Sequence, residues 1–137
     1  KAWGYVYLQE FIPQNDSDYR VIVVKDKAFA IKRYTRPNDF RASGSGYIEY
    51  KRELFSEELL NTSFDIASKV KSQCVAFDFV YRDNKPLLVE MSYGFRKEGY
   101  YACEGYWDSQ LNWYEGSFNP YGWIIEDLKN EFFNLKQ

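Results

Sequence analysis

Residues 76–92 contain two apolar runs around a polar turn, which is the pattern of a β-hairpin. Each run holds one carboxylate, Asp78 in the first and Glu90 in the second. Both are equally far from Asn84 along the chain, so a hairpin folded about Asn84 makes them cross-strand neighbours. Like charges directly opposite each other on a sheet repel, and neither carboxylate ionises cheaply among apolar side chains. The hairpin therefore needs a partner for these two charges.

A divalent cation between the two carboxylates would remove both penalties. Proteins commonly hold Mg²⁺ with one or two carboxylates together with phosphate oxygens. The alternative is a different strand register, which places one of the two carboxylates on the solvated face of the sheet. The spacing alone leaves both interpretations open.

The composition excludes several classes of chemistry. The chain has 137 residues, enough for one domain with a hydrophobic core. It carries 18 basic and 20 acidic side chains, and a net charge of −2 gives no electrostatic reason to expect nucleic acid or an anionic membrane as a partner. No apolar run approaches the length of a membrane span. Because histidine is absent, His general bases, Ser-His-Asp triads and His-ligated zinc are excluded.

The start of the sequence and its cysteines indicate a piece of a longer cytoplasmic protein. The sequence begins without Met and without a signal peptide, almost inside a strand pattern, and we expect an excised fragment or a processed product. Cys74 and Cys103 form no Cys-x-x-Cys motif. We expect two buried reduced thiols, with a disulfide between them as the alternative. Neither the Walker-type loop nor Gly-x-Gly-x-x-Gly occurs, so a nucleotide would be bound without those loops.

Hydrophobic patterning predicts strands in the first third of the chain. Runs rich in β-branched and aromatic residues, bounded by Pro, Gly or polar turns, indicate strands before the first helix. They cover residues 5–12, 18–24, 28–34 and, as a short strand, 47–50. The run 18–24 ends in continuous apolar residues, which predicts burial on both faces.

Helices are predicted in two places. Ser56, followed by two glutamates, provides a hydroxyl N-cap and acidic residues at the positive end of the helix dipole, and helical spacing continues over 57–71. After the hairpin, an aromatic segment over 100–118 shows no periodicity. Pro120 opens a last helix, and its predicted apolar face comprises Ile124, Ile125, Leu128 and Phe132. This order predicts an α+β fold with a largely antiparallel sheet.

Four short motifs, taken in order, resemble the C-terminal half of an ATP-grasp domain. Residues 8–12, Leu-Gln-Glu-Phe-Ile, resemble the strand whose backbone meets adenine in that superfamily. The second motif is Asp18-x-Arg20, which opens a buried strand, together with Arg33 on the partner strand. Residues 39–43, Asp-Phe-Arg-Ala-Ser, resemble the Phe-Arg-x-Asn segment beside the phosphates.

The fourth motif lies in the hairpin. Asp78 followed by Glu90-x-Ser92 resembles the Asp and Glu-x-Asn residues that bind magnesium in the superfamily. The resemblance covers about residues 5–95. It implies that ATP and Mg²⁺ are the cofactors, with Asp78, Glu90 and Ser92 as the metal ligands.

The resemblance also implies a role for each remaining motif residue. Arg33 and Arg41 would be the catalytic residues, because they would neutralise charge on the transferred phosphoryl group and on an acyl phosphate. Asp18 would meet the ribose or orient Arg20. The residues that would contact the nucleotide are Gln9, Glu10, Phe11, Ile12, Asp18, Arg20 and Ser43.

Two positions depart from the superfamily pattern. Ser92 stands where the last motif usually has Asn, and Ser43 stands where the phosphate segment usually has Asn. Both substitutions shorten a polar arm near the metal and the phosphates, which implies weakened nucleotide binding or a diverged activity. The glycine-rich loop and the phosphate-binding lysines of the preceding subdomain have no counterpart here. The resemblance therefore implies N-terminal subdomains of the same protein as partners, and this chain alone would hold at most half of the ATP site.

The implied activity is that of an ATP-dependent ligase. A substrate carboxylate attacks the γ-phosphate of ATP, and an amine or another nucleophile then displaces phosphate from the acyl phosphate. Catalysis of such a step is mostly positioning and charge neutralisation. One alternative is a non-catalytic binding or scaffolding module with an ATP-grasp-like sheet. Another is an aromatic-rich carbohydrate-binding domain that holds Ca²⁺ with Asp78 and Glu90.

The tail, residues 99–137, is predicted to pack on the same domain as a core formed by residues 1–98. It is similar to the tail of ATP-grasp proteins of bacterial surface-polysaccharide assembly, which implies a sugar or glycan-linked acceptor. The tail aromatics either pack the last helix onto the sheet or form a platform for a sugar or acyl acceptor. The platform candidates are Tyr106, Trp107, Trp113 and Tyr114, with Asp108 or Glu115 beside them.

Overall fold

The predicted α+β class is confirmed, because one antiparallel sheet carries a helix on each face. The computed structural model describes residues 4–39, 41, 42, 44 and 46–134. The strands are β1 (Ser17–Val24), β2 (Lys27–Tyr34), β3 (Ile48–Glu49), β4 (Cys74–Arg82), β5 (Lys85–Ser92), β6 (Gly105–Asp108) and β7 (Trp113–Glu115). The helices are α1 (Glu57–Val70) and α2 (Pro120–Asn134), with 3₁₀ turns at Arg52–Leu54 and Lys97–Gly99.

The sheet is built around β1. Its strand order is β5-β4-β1-β2-β6-β7, and β3 pairs with the far end of β2. Val21 to Val24 of β1 are almost inaccessible to solvent, since α1 covers one face and α2 the other. The predicted burial of this strand on both faces is confirmed.

The hairpin of β4 and β5 has the predicted pairing of Asp78 with Glu90. Its turn residues Asp83 and Asn84 have φ values of 51° and 61°, which suit the tight turns of two-residue hairpins. A regular ladder from this turn would put Val89 opposite Asp78. A register shift beside Asp78 skips one residue and brings Glu90 there instead. The bulge therefore produces the juxtaposition of the two carboxylates.

Helix α1 forms where the sequence predicts it. The Ser56 hydroxyl accepts a hydrogen bond from the Leu59 backbone N–H at 3.2 Å, as an N-cap does. Lys71 ends the helix in the left-handed conformation, with a φ of 53°. Leu59 and Leu60 are buried against β1 and β4, next to Phe77. This core covers one face of the sheet, and the candidate site described below lies on the other face.

Helix α2 packs on the other face, but the predicted apolar face of this helix is wrong apart from Ile124. The buried side contains Trp123 and Asp127, and Asp127 is stabilised there by an ion pair with Lys25. Because Trp123 turns this side toward Phe29, the rest of the predicted face points outward. The exposed members are Ile125, Leu128 and Phe132, at 52%, 48% and 55%.

The strand predicted over residues 5–12 is wrong. Residues 4–16 form no strand, and the side chains over 5–8 are almost fully exposed. A strand needs a ladder partner, whereas this segment touches the edge strand β5 through the side chain of Gln9, which donates to the Val89 carbonyl at 3.1 Å. We call residues 4–16 the leader segment.

The aromatic tail contributes strands that its sequence did not predict. β6 pairs with β2, and β7 pairs with β6, so the tail extends the sheet. Trp107 is buried beside Phe55 under α1, and Tyr106 contacts Trp123 of α2 at 4.8 Å between ring centroids. Tyr106 therefore packs the last helix onto the sheet, as the packing interpretation predicts, whereas Trp107 packs on the opposite face, under α1. Tyr114 is the most exposed of the platform candidates, at 46%, and stacks on Tyr106.

Candidate functional site

A cleft of about 510 Å³ lies on the sheet face that carries α2, beyond the aromatic core. Strands β1, β2, β4 and β5 form its floor, and the leader segment forms a wall. Of the predicted site residues that the structure describes, all except Ser92 line it. They are Gln9, Glu10, Phe11, Ile12, Asp18, Arg20, Arg33, Arg41, Asp78 and Glu90. Ser43, together with Phe40 of the same motif, lies outside the described residues.

Two arginines and two aspartates form one connected chain on the cleft floor. Arg20 donates from Nε and Nη2 to both oxygens of Asp78, at 2.5 and 2.6 Å. Arg33 makes the same two-point contact with Asp18, at 2.7 and 2.6 Å. The Nη2 atom of Arg33 also lies 3.0 Å from Oδ2 of Asp78. We call this arrangement Arg20–Asp78–Arg33–Asp18 the ionic chain.

Strand register explains why the ionic chain forms. Arg20 is directly opposite Asp78 across β1 and β4, and Asp18 is directly opposite Arg33 across β1 and β2. Asp18 and Arg20 are two residues apart, so their side chains emerge on the same face. Opposite charges at directly paired positions attract each other across a sheet. The spacing Asp-x-Arg in β1 therefore completes two ion pairs at once.

Burial sets the electrostatics of this floor. Asp78 and Arg33 are only 5% and 7% exposed. Burial raises the pKa of Asp18 more than the hydrogen bonds from Arg33 lower it. The hydrogen bond to Asp78 raises the pKa of Arg20, and burial raises the pKa of the neighbouring Tyr100 hydroxyl to about 12. The arginines are therefore fixed cations in this cleft.

As arranged, the described residues do not fit a resident divalent cation. Both oxygens of Asp78 already accept hydrogen bonds from guanidinium groups. These cations neutralise the carboxylate, which is the role that the sequence led us to expect of a metal ion. The Ser92 hydroxyl donates to the Gly94 carbonyl at 3.3 Å, away from the cleft. Glu90 is exposed, and no described side chain pairs with its carboxylate. Among the described residues, no three Asp, Glu, Cys or His side chains are grouped to hold a metal ion.

Arg41 lies at the rim of the cleft. Its side chain is 64% exposed, and its guanidinium contacts the carboxylate of Asp39 at 2.6 Å. This contact lowers the pKa of Asp39 to about 2. Among the described residues, the Arg41 guanidinium pairs only with Asp39 of its own loop, so a ligand in the cleft can engage it without breaking a buried ion pair.

Asn15 holds the leader segment against the end of β4, a role that the sequence did not indicate. Its side-chain amide donates to the Tyr81 carbonyl at 3.0 Å and accepts from the Tyr81 N–H at 2.8 Å. The amide thus replaces a missing strand partner at the end of β4. Glu10 adds an ion pair with Arg82 at 2.7 Å. In the sequence, Asn15 is an asparagine in a polar loop before a strand. Because asparagine is common in turns that have no binding role, this position alone does not indicate a site.

A larger open groove of about 710 Å³ runs along α1 on the opposite face of the sheet. Exposed side chains such as Lys25, Asn61 and Lys71 line it, and it contains none of the predicted site residues. Buried charged groups are typical of functional sites. The smaller cleft, which has such groups on its floor, is therefore the candidate site.

Comparison with family models and with curated proteins found no match for this chain. The resemblance to ATP-grasp domains consequently depends on the sequence motifs. Within the described residues, no helix has the length and apolar character that crossing a membrane requires.

Proposed function

We propose that this chain carries part of the ATP site of an ATP-grasp ligase, which activates a carboxylate as an acyl phosphate and couples it to an amine or another nucleophile. One observation carries the proposal. Motifs between residues 9 and 90, chosen from sequence alone, line a single cleft with a buried ionic chain on its floor. The cleft volume lies within the range of about 300–1,000 Å³ that is usual for small-molecule sites.

Each wall of the cleft suits one part of the nucleotide. Residues 9–12 of the leader segment offer backbone groups and the Phe11 ring to an adenine base. The ionic chain faces the ribose and phosphates. Arg41 at the rim is the cation that a γ-phosphate meets without breaking a buried ion pair.

In the proposed reaction, a carboxylate oxygen of the substrate attacks the γ-phosphorus and ADP leaves. The acceptor nucleophile then attacks the acyl carbon, and inorganic phosphate leaves. Arg33 and Arg41 neutralise negative charge in both steps. We assign no step to a metal ion, and Mg²⁺ as a cofactor with Asp78, Glu90 and Ser92 stays a prediction. The acceptor class, a sugar or glycan-linked group, is proposed from the resemblance of the tail.

Arg41→Gln tests the proposal, with Arg52→Gln as the matched control. Both arginines are exposed and pair with a carboxylate close in sequence, but Arg52 lies outside the cleft. Loss of one charge-assisted phosphate contact is worth about 1.5–3 kcal/mol, or roughly 10- to 150-fold in affinity. In calorimetry on the protein that contains this chain, we expect that loss for ATP in Arg41→Gln and wild-type affinity in Arg52→Gln.

Adenosine serves as the internal reference, because it has no phosphate to meet Arg41. Its affinity should be the same in all three proteins. Equal ATP affinity in Arg41→Gln and wild type would refute the placement of the phosphates, and absence of ATP binding by the folded wild-type protein would refute the nucleotide site.

A further inference from the structure

Helix α2 carries large apolar side chains on two sides. Trp123 and Ile124 pack against the core on the sheet. The outer side presents four large apolar residues that are 40–55% exposed, namely Tyr121, Ile125, Leu128 and Phe132. We call these four residues the outer stripe. A helix on the surface of a globular protein normally turns polar and charged side chains toward water, so the outer stripe indicates a second packing surface.

The spacing of the outer stripe is that of a seam between two helices. Its members follow one another at steps of four, three and four residues. These are the steps of the a and d positions, through which paired helices pack side by side. Because every copy of the chain carries the same stripe, two copies can pair face to face about a twofold axis.

The exposed area of the outer stripe is large enough for a dimer. With about half of roughly 200 Å² exposed on each side chain, the stripe offers on the order of 400 Å² of apolar surface. The largest apolar patch on a typical monomer is about 300–600 Å² and is often functional. Since about 60% of an interface is apolar, pairing two such stripes corresponds to a total buried area of about 1,300 Å². Specific interfaces bury about 1,200–2,000 Å².

The charges beside the outer stripe favour a second copy in parallel orientation. At about 100° per residue, Lys129 and Glu131 lie on opposite flanks of the stripe, and both are exposed. In a parallel twofold pair of helices, opposite flanks meet, so Lys129 of each copy lies on the same side of the seam as Glu131 of the other. An antiparallel pair would bring like flanks together. Charges beside such a seam set the choice of partner and its orientation.

We propose that the outer face of α2 is a self-association surface, and that two copies of this chain pair in parallel along the outer stripe. Ile125 and Leu128 form the middle of this seam. The pairing needs no nucleotide and does not rest on the proposed function.

Sedimentation velocity on the protein that contains this chain tests the proposal. We expect a dimer for the wild-type protein, and Ile125→Lys and Leu128→Lys should each weaken dimerisation by at least about tenfold, because a charge enters the centre of the seam. Val70→Lys is the matched control, since Val70 is an apolar residue of α1 that is 43% exposed on the other face of the sheet. It should dimerise as the wild type does, and circular dichroism checks that each variant is folded.

A charge exchange tests the identity and orientation of the partner. Lys129→Glu alone should weaken dimerisation by roughly tenfold, because it replaces an attraction with a repulsion at two symmetric places. Combining Lys129→Glu with Glu131→Lys should restore the affinity of the wild type.

Three results would each overturn the proposal: a monomeric wild-type protein, a dimer that Ile125→Lys leaves intact, or an exchanged pair of charges that does not restore dimerisation. A monomer would mean that another surface covers the outer stripe. All these measurements are made without ATP, so failure of the nucleotide site would leave their outcome unchanged.

Discussion

The substitution Asp78→Asn removes the central carboxylate charge of the ionic chain while keeping the size of the side chain. Asp78 accepts contacts at 2.5 and 2.6 Å from Arg20 and lies 3.0 Å from Arg33. The side chains of Asp78 and Arg33 are 7% and 9% exposed, so solvent compensates little for the lost charge. Breaking a buried pair costs about 3–5 kcal/mol when the partner charge stays behind.

The expected cost lies at the lower end of that range. Arg33 keeps Asp18 as a partner, and the Arg20 side chain is 18% exposed and gains some hydration. We expect a loss of about 3 kcal/mol in the free energy of unfolding. With an m value of about 2 kcal/mol per molar urea, this moves the unfolding midpoint by about 1.5 M.

Urea denaturation followed by circular dichroism measures this shift. Glu90→Gln is the matched control, because Glu90 faces Asp78 but pairs with no described side chain, and its midpoint should stay within about 0.3 M of wild type. The double variant Arg20→Gln/Asp78→Asn should lose less than the sum of the single losses, by about 0.5–3 kcal/mol. A midpoint for Asp78→Asn equal to that of the control would refute the claim that the ionic chain is buried and coupled.

Two further predictions concern the thiols and the first helix. Burial raises the pKa of Cys74 to about 11 and that of Cys103 to about 12, so native protein at pH 8 should react with a thiol reagent far more slowly than protein in urea. Since these values exceed the unfolded value of 9.0, their contribution to stability is full below about pH 9 and is lost as the pH rises through the folded values. Rapid modification of both thiols in native protein would contradict this. Ser56→Ala should destabilise the protein by about 1 kcal/mol through loss of the N-cap, whereas the exposed Ser68→Ala should cost less, as thermal unfolding will show.

Local signals predicted the parts of the fold that depend on local chemistry. Ser56 marks the start of α1 because its hydroxyl satisfies a backbone donor of the first turn. Asp78 and Glu90 were predicted to be neighbours, and they are. The structural reason is partly different, since the turn is centred between Asp83 and Asn84 and a bulge restores the pairing.

Features that depend on distant partners were not predicted. The run 5–12 has strand composition, but it has no ladder partner among the described residues, and it is irregular and mostly exposed. The aromatic tail lacks periodicity, yet β2 provides an edge on which β6 can pair. In α2, Asp127 is buried because Lys25 forms an ion pair with it and Gln73 donates a hydrogen bond to it. No pattern within the helix could indicate these two distant partners.

The neutralisation of Asp78 shows the same limit for the site. Asp78 does have the positive partners that a carboxylate among apolar residues requires. The sequence does not reveal whether that partner is a metal ion or arginines on β1 and β2, because this depends on the register of β1 against both neighbours. The ionic chain follows from that register.

Locating ATP on the protein by backbone amide NMR tests the central claim most directly. We predict that ATP shifts the amide signals of residues that line the cleft, around Asp18, Arg33 and Asp78, and leaves those along the groove of α1, such as Asn61 and Lys71, unchanged. Shifts confined to the α1 groove, or no shifts in the folded protein at saturating ATP, would contradict the account.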